Sequence, residues 1–157
     1  MRFSAYFTLG KDQTELDFVD IDTATDMPLF IDPYSLSKRR DTWSADASDS
    51  VVRFFQATID AIRGNQSSRA RELLGHLSEP NETCLGLSKG RPQGAGVGRL
   101  QADALQAALA ASRAVRAGRL TELAEADLVI DGIGPDKISD ITTNLIRLDL
   151  IRYTQGQ

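Results

Sequence analysis

The feature that most constrains this chain is a change of pattern near residue 50. Beyond it, apolar residues recur at helical spacing: Val51, Val52, Phe54, Phe55, Ile59 and Ile62 form one stripe, which Gly64-Asn65 ends. A second helix is predicted over about Ser67–Leu77, broken by Pro80-Asn81. An alanine-rich helix is predicted over Gln101–Ala117, closed by Gly118, and a short one over Thr121–Asp127. The last begins at Gly134-Pro135, with proline at a first helical position, and runs to about Tyr153. Its apolar residues Ile138, Ile141, Leu145, Ile146, Leu148, Leu150 and Ile151 cover more than one face. Such a helix is buried in its own domain or by another surface, so a protein partner or a second copy is expected there.

Before residue 50 the pattern differs. Phe3 to Leu9 reads as a strand, Leu16–Asp22 alternates apolar and acidic residues, and Met27–Pro33 is an apolar burst ending at Asp32 before a proline. Lys38–Asp49 reads as a loop, with Ser48 or Ser50 capping the helix that follows. The expected fold class is therefore α+β: short N-terminal strands followed by a mainly helical body of four to five helices. A chain of 157 residues makes a single domain, with a β-rich acidic segment over 1–45 and a helical body over 46–157. It could be the N-terminal part of a longer protein.

Several classes fall away on counts. One cysteine, Cys84, excludes an internal disulfide and a Cys-rich zinc site; one histidine, His76, excludes a site with two His ligands. No apolar run approaches the length of a membrane span, and the N-terminus lacks the apolar stretch of a signal peptide, so the default location is cytoplasmic. His76 reads as a helix-end residue, Cys84 as a semi-buried thiol. Trp43 and Tyr34 flank Lys38-Arg39-Arg40, where an aromatic could stack on a base or Trp43 could anchor a loop onto the core.

The net charge of −4 hides an asymmetry: residues 1–50 carry ten acids and five bases. Residues 88–119 hold Lys89, Arg91, Arg99, Arg113, Arg116 and Arg119 against the single acid Asp103. Such a stretch can attract phosphate even in an acidic protein. It contains the clearest loop in the chain, with Gly90, Gly94, Gly96 and Gly98 leading into a helix start. Exposed amides and a helix N-terminus there, with Lys89, Arg91 and Arg99 beside them, suit an anion. The loop lacks the Gly-Lys-Ser/Thr of a Walker loop and the strand of a dinucleotide fingerprint. Its glycines could equally serve turn geometry alone.

Gly132-Ile133-Gly134-Pro135 resembles a helix-hairpin-helix turn, which offers amides to a nucleic-acid phosphate, but Asp136 would repel that phosphate. Asp136 and Asp140 are four apart on one helix, and Asp32 ends an apolar segment. Magnesium or manganese needs few carboxylates besides substrate phosphate oxygens, so Asp32, Asp136 and Asp140 could hold Mg²⁺ or Mn²⁺. Glu82 would assist, and Lys89 would stabilise developing phosphate charge. Capping and surface solvation are the alternative use of these acids.

Leu29-Phe30-Ile31-Asp32-Pro33, Glu79-Pro80-Asn81-Glu82-Thr83, Leu85-Gly86-Leu87-Ser88-Lys89-Gly90 and Gly132–Asp140 together resemble the N-terminal part of a prokaryotic family associated with mobile elements and phage-defence gene neighbourhoods. The resemblance spans the chain from about residue 27 onward. It implies a bacterial cytosolic setting and a nucleic-acid-related role, and it assigns no catalytic residue. Two functions are expected from these readings: metal-dependent phosphodiester hydrolysis within a defence system, or a non-catalytic module of such a system that binds nucleic acid or protein.

Overall fold

The structure, a computed structural model, describes residues 1–77, 84–85 and 99–155. The chain forms two compact units, Met1–Phe30 with Asn81–Gly94, and Ile31–Pro80 with Ala95–Gln157. A division at residue 45 falls inside the helix Thr42–Arg63.

The described residues contain helices and turns but no β-strand, which corrects the α+β expectation to a mainly helical fold. Phe3–Tyr6 is a short helix, α1, rather than a strand. The Asp20 carboxylate explains this locally: it accepts from the Ser4 amide (2.8 Å) and the Ser4 hydroxyl (2.7 Å), holding α1 from the side. Among the described residues the alternating segment 16–22 finds no partner strand. Only an isolated antiparallel bridge joins Arg2 to Asp22, and Phe18 and Val19 stay exposed. A 3-10 turn at Gln13–Glu15 is closed by a reciprocal cap between Asp12 and Glu15. Met27 makes one parallel bridge to Leu85, its amide donating to the Cys84 carbonyl at 2.9 Å.

In the second unit, Asp32 starts a helix instead of ending a strand. Its Oδ1 accepts from the Tyr34 amide (2.9 Å) and Pro33 occupies the first position of α2, Pro33–Lys38. The predicted loop 38–49 is mostly helix too. The long helix α3, Thr42–Arg63, begins at Asp41, whose Oδ1 accepts from the Ser44 amide. Its buried stripe, Ser44, Ala47, Val51, Phe55, Thr58 and Ile59, keeps helical spacing throughout.

Helix α4 spans Ser67–Gly75 and α5 spans Arg99–Ala111. The long alanine-rich helix is broken at Ser112, which takes an extended conformation and caps the short α6, Arg113–Arg116. A 3-10 turn at Leu123–Glu125 leads to α7, Ala126–Val129. The C-terminal helix divides at Ile146 into α8, Pro135–Leu145, and α9, Arg147–Gln155.

Helix α3 packs against α2, α4, α5, α6, α8 and α9 around one core that includes Leu36, Ile59, Leu77, Leu109, Val115, Leu123, Ile141 and Ile146. The Ile31 amide donates to the buried Ser139 hydroxyl at 2.9 Å, tying the entry to α2 onto α8. The Trp43 indole donates to the Asp149 carbonyl at 3.1 Å, and its ring lies 5.7 Å from Tyr153. The tryptophan thus secures the start of α3 against α9. The apolar C-terminal run is accounted for within the chain only in part. Ile138, Ile141 and Ile146 are buried, whereas Leu148 and Ile151 of α9 are exposed. No helix among the described residues is long and apolar enough to cross a membrane.

Candidate functional site

Two arginines from distant parts of the chain, Arg63 and Arg116, meet where α3 ends and α6 turns. Arg63 is the last residue of α3. Gly64 stops the helix, its amide donating to the Asp60 carbonyl at 2.8 Å. At the other side, α6 carries Arg113 and Arg116, and the chain reverses at Gly118, whose φ of +66° is in the left-handed region. A Cβ built on Gly118 would lie 3.4 Å from Arg63 Nη1 and 3.5 Å from Nη2. The Arg63 guanidinium therefore rests against the turn between Arg116 and Arg119, although 55 residues separate it from Gly118.

Arg63 and Arg116 also line one open hollow of about 480 Å³, with Ile62, Asn65 and Ala110. The Arg116 guanidinium donates to the Ala110 carbonyl at 3.2 Å, which fixes its direction. Arg63, Arg113, Arg116 and Arg119 are all exposed, and among the described residues no carboxylate pairs with any of them. Asp103, the single acid of the basic stretch, is taken by Arg71 of α4 at 2.6 Å. Asp103 is therefore not available to these arginines, and Asp60 and Glu122, three residues from Arg63 and Arg119 respectively, form no ion pair with them among the described residues.

The acids expected to hold a metal are placed differently. Among the described residues no group of three or more His, Cys, Asp or Glu side chains could hold an ion, so Asp32, Asp136 and Asp140 are not gathered as one. Asp32 is exposed and uses both carboxylate oxygens locally, Oδ1 on the Tyr34 amide and Oδ2 on the Ser35 hydroxyl (2.9 Å each). Asp136 lies exposed in the first turn of α8, where a negative charge meets the positive end of the helix dipole. Asp140 lies one turn further on, half-buried. Glu82, Lys89, Gly90, Arg91, Gly94, Gly96 and Gly98 lie outside the described residues; Arg99 enters as the first residue of α5.

The turn at Gly132–Pro135 buries Ile133 in the core, and the Lys137 ammonium donates to the Gly132 carbonyl at 3.0 Å. Cys84 is buried with φ +50°; burial first, then Asp26 and Asp22, push its thiol pKa up. His76 is exposed where α4 ends and shares an open hollow with Arg71, Glu72 and Asp103. Trp43 acts in packing rather than as a free stacking ring, and Tyr34 stays exposed with the Lys38 ammonium 4.5 Å from its ring centre.

Arg113, Arg116 and Arg119 were legible as a basic stretch. Arg63 was missed. Its position in the last turn before Gly64-Asn65 was readable, but its approach to Gly118 is a product of tertiary packing.

A mainly helical chain in which Arg63 and Arg116 line one open hollow is what fold and site define. The chain belongs to a family described as a domain of unknown function (DUF8370), whose model matches residues 8–157. No curated protein and no solved structure matches it.

Proposed function

We propose that this chain is a non-catalytic module that binds the phosphate backbone of nucleic acid through Arg63, Arg113, Arg116 and Arg119. The observation that carries the reading is the approach of Arg63 to Gly118, which adds a distant cation to the α6 set. Arginine guanidinium groups bind phosphate in two-point contacts, and counterion release supplies affinity without sequence preference. A cytoplasmic role in a prokaryotic defence system rests on the sequence resemblance alone. The binding reading is preferred to hydrolysis because the Asp32 carboxylate is engaged in capping and Asp32, Asp136 and Asp140 are not gathered.

The test is fluorescence anisotropy with a labelled single-stranded DNA and its duplex across a salt series. Substituting Arg63→Ala with Arg116→Ala should weaken binding and reduce the slope of log affinity against log salt by about 1.4 to 1.8, two cations' worth. An unchanged slope, or no binding by the parent protein, sinks the reading. In the same tubes with Mg²⁺ or Mn²⁺ the DNA should be recovered uncut. Metal-dependent cleavage lost in Asp136→Ala would instead restore the hydrolytic reading.

A further inference from the structure

A second exposed face of this chain is the chemical complement of the first. In Met1–Phe30 the rings of Tyr6, Phe7, Phe3 and Phe18 form a continuous array, with centroid separations of 5.0, 4.5 and 5.6 Å in that order. Tyr6 is 63% exposed and Phe7 55%. Contiguous exposed aromatics of this kind mark interaction surfaces. The segment carrying them has six acids (Asp12, Glu15, Asp17, Asp20, Asp22, Asp26) and two bases, Arg2 and Lys11. Of its cations, Arg2 is held on the Asp20 carbonyl at 2.5 Å, and the terminal ammonium on Asp22 at 2.7 Å. The segment is therefore aromatic at its surface and net negative in composition, which suits guanidinium groups by ring-face attraction and by charge.

We propose that its occupant is the arginine surface of a second copy of this chain, docked head to tail. Charge complementarity carries the choice: the four arginines have no carboxylate partner among the described residues, and the acidic aromatic face is poor in free cations. The contact is heterologous, so each copy offers one face of each kind and assembly can extend beyond a dimer. It uses the arginines of the proposed nucleic-acid site without resting on nucleic-acid binding, and a polyanion competes with it.

Sedimentation velocity over a concentration series at about 50 mM salt tests this, repeated at about 0.5 M, where screening should return the parent protein to monomer. Tyr6→Ser with Phe7→Ser, and separately Arg63→Ser with Arg116→Ser, should each weaken self-association about tenfold or more. Mixed in equal amounts, the two variants should form a one-to-one pair that does not grow, because each supplies the face the other lacks. Trp43 emission and Cys84 thiol labelling check the folding of both; should the first variant fail, Tyr6→Ser alone serves in its place. A monomeric parent protein at all concentrations overturns the proposal, as does a mixture that stays monomeric. Association abolished by Leu148→Ser with Ile151→Ser but retained by the other two variants would assign the contact to α9 instead. The aromatic variant should keep the parent salt slope on DNA, so failure of assembly and failure of nucleic-acid binding are separately visible.

Discussion

Asp41 sets the start of α3 with three hydrogen bonds: from the Ser44 amide (2.8 Å), the Ser44 hydroxyl (3.0 Å) and Arg39 Nε (3.0 Å). These donors, the backbone amide foremost, hold its pKa down to about 2, against an ordinary 3.8. A carboxylate lowered in the folded state contributes stability that is present above its unfolded value and is lost as pH falls through the folded one. The contribution of Asp41 should therefore fade between about pH 4 and about pH 2. Asp20, lowered by its bonds from Ser4, fades in the same direction. In Asp41→Asn the cap is kept but the charge is gone. Its thermal midpoint, followed by Trp43 emission, should fall less steeply with acid than the parent's; parallel curves would refute this. Gly118→Ala forces a side chain into left-handed backbone, its Cβ meeting Arg63 at ordinary contact distance, and should cost about 1 kcal/mol, read by urea titration.

Among the elements, the junction of α2 with α8 hangs on one serine. Ser139→Ala leaves the partly buried Ile31 amide without its acceptor and should cost about 1 to 2 kcal/mol. Thr142 is also buried, but its hydroxyl donates to Ile138 of its own helix at 2.7 Å, so Thr142→Val should cost less. Equal losses in the two variants would remove the special role of Ser139. The same elements show what a sequence can convey. The end of α3 at Gly64 and the start of α8 at Pro135 were legible because glycine and proline act locally. The N-terminal strands were misread because alternation predicts a strand only where a neighbouring strand completes it, and here the Asp20 carboxylate and a short helix supply the partners instead. Asp32-Pro33 and Asp41 are cap signals, but the apolar run before the first and the polar residues around the second are equally compatible with a strand end and a loop. The break at Ser112 competes with a helix-favouring alanine run and is won by the cap it makes for Val115. The arginines of α6 could be found by counting charge; their union with Arg63 could not.

Across the whole molecule, two natural reporters lie in different units. Trp43, the single tryptophan, belongs to Ile31–Pro80; Cys84, the single cysteine, belongs to Asn81–Gly94. A two-state protein loses both signals together. With the hydrophobic cluster of the described residues lying in the unit that holds Trp43, urea should move thiol labelling of Cys84 and Trp43 emission at different concentrations. Ser4→Ala, which removes one donor from Asp20, should shift the thiol transition and leave the tryptophan midpoint in place. Superimposed transitions in both proteins would mean one cooperative body.

Gly118 has an evolutionary corollary. Because a Cβ there would meet the Arg63 guanidinium only at ordinary contact distance, it is the left-handed backbone and not the neighbouring cation that demands this residue. Homologous chains are therefore expected to keep glycine, or asparagine, at the turn whatever stands at the position of Arg63.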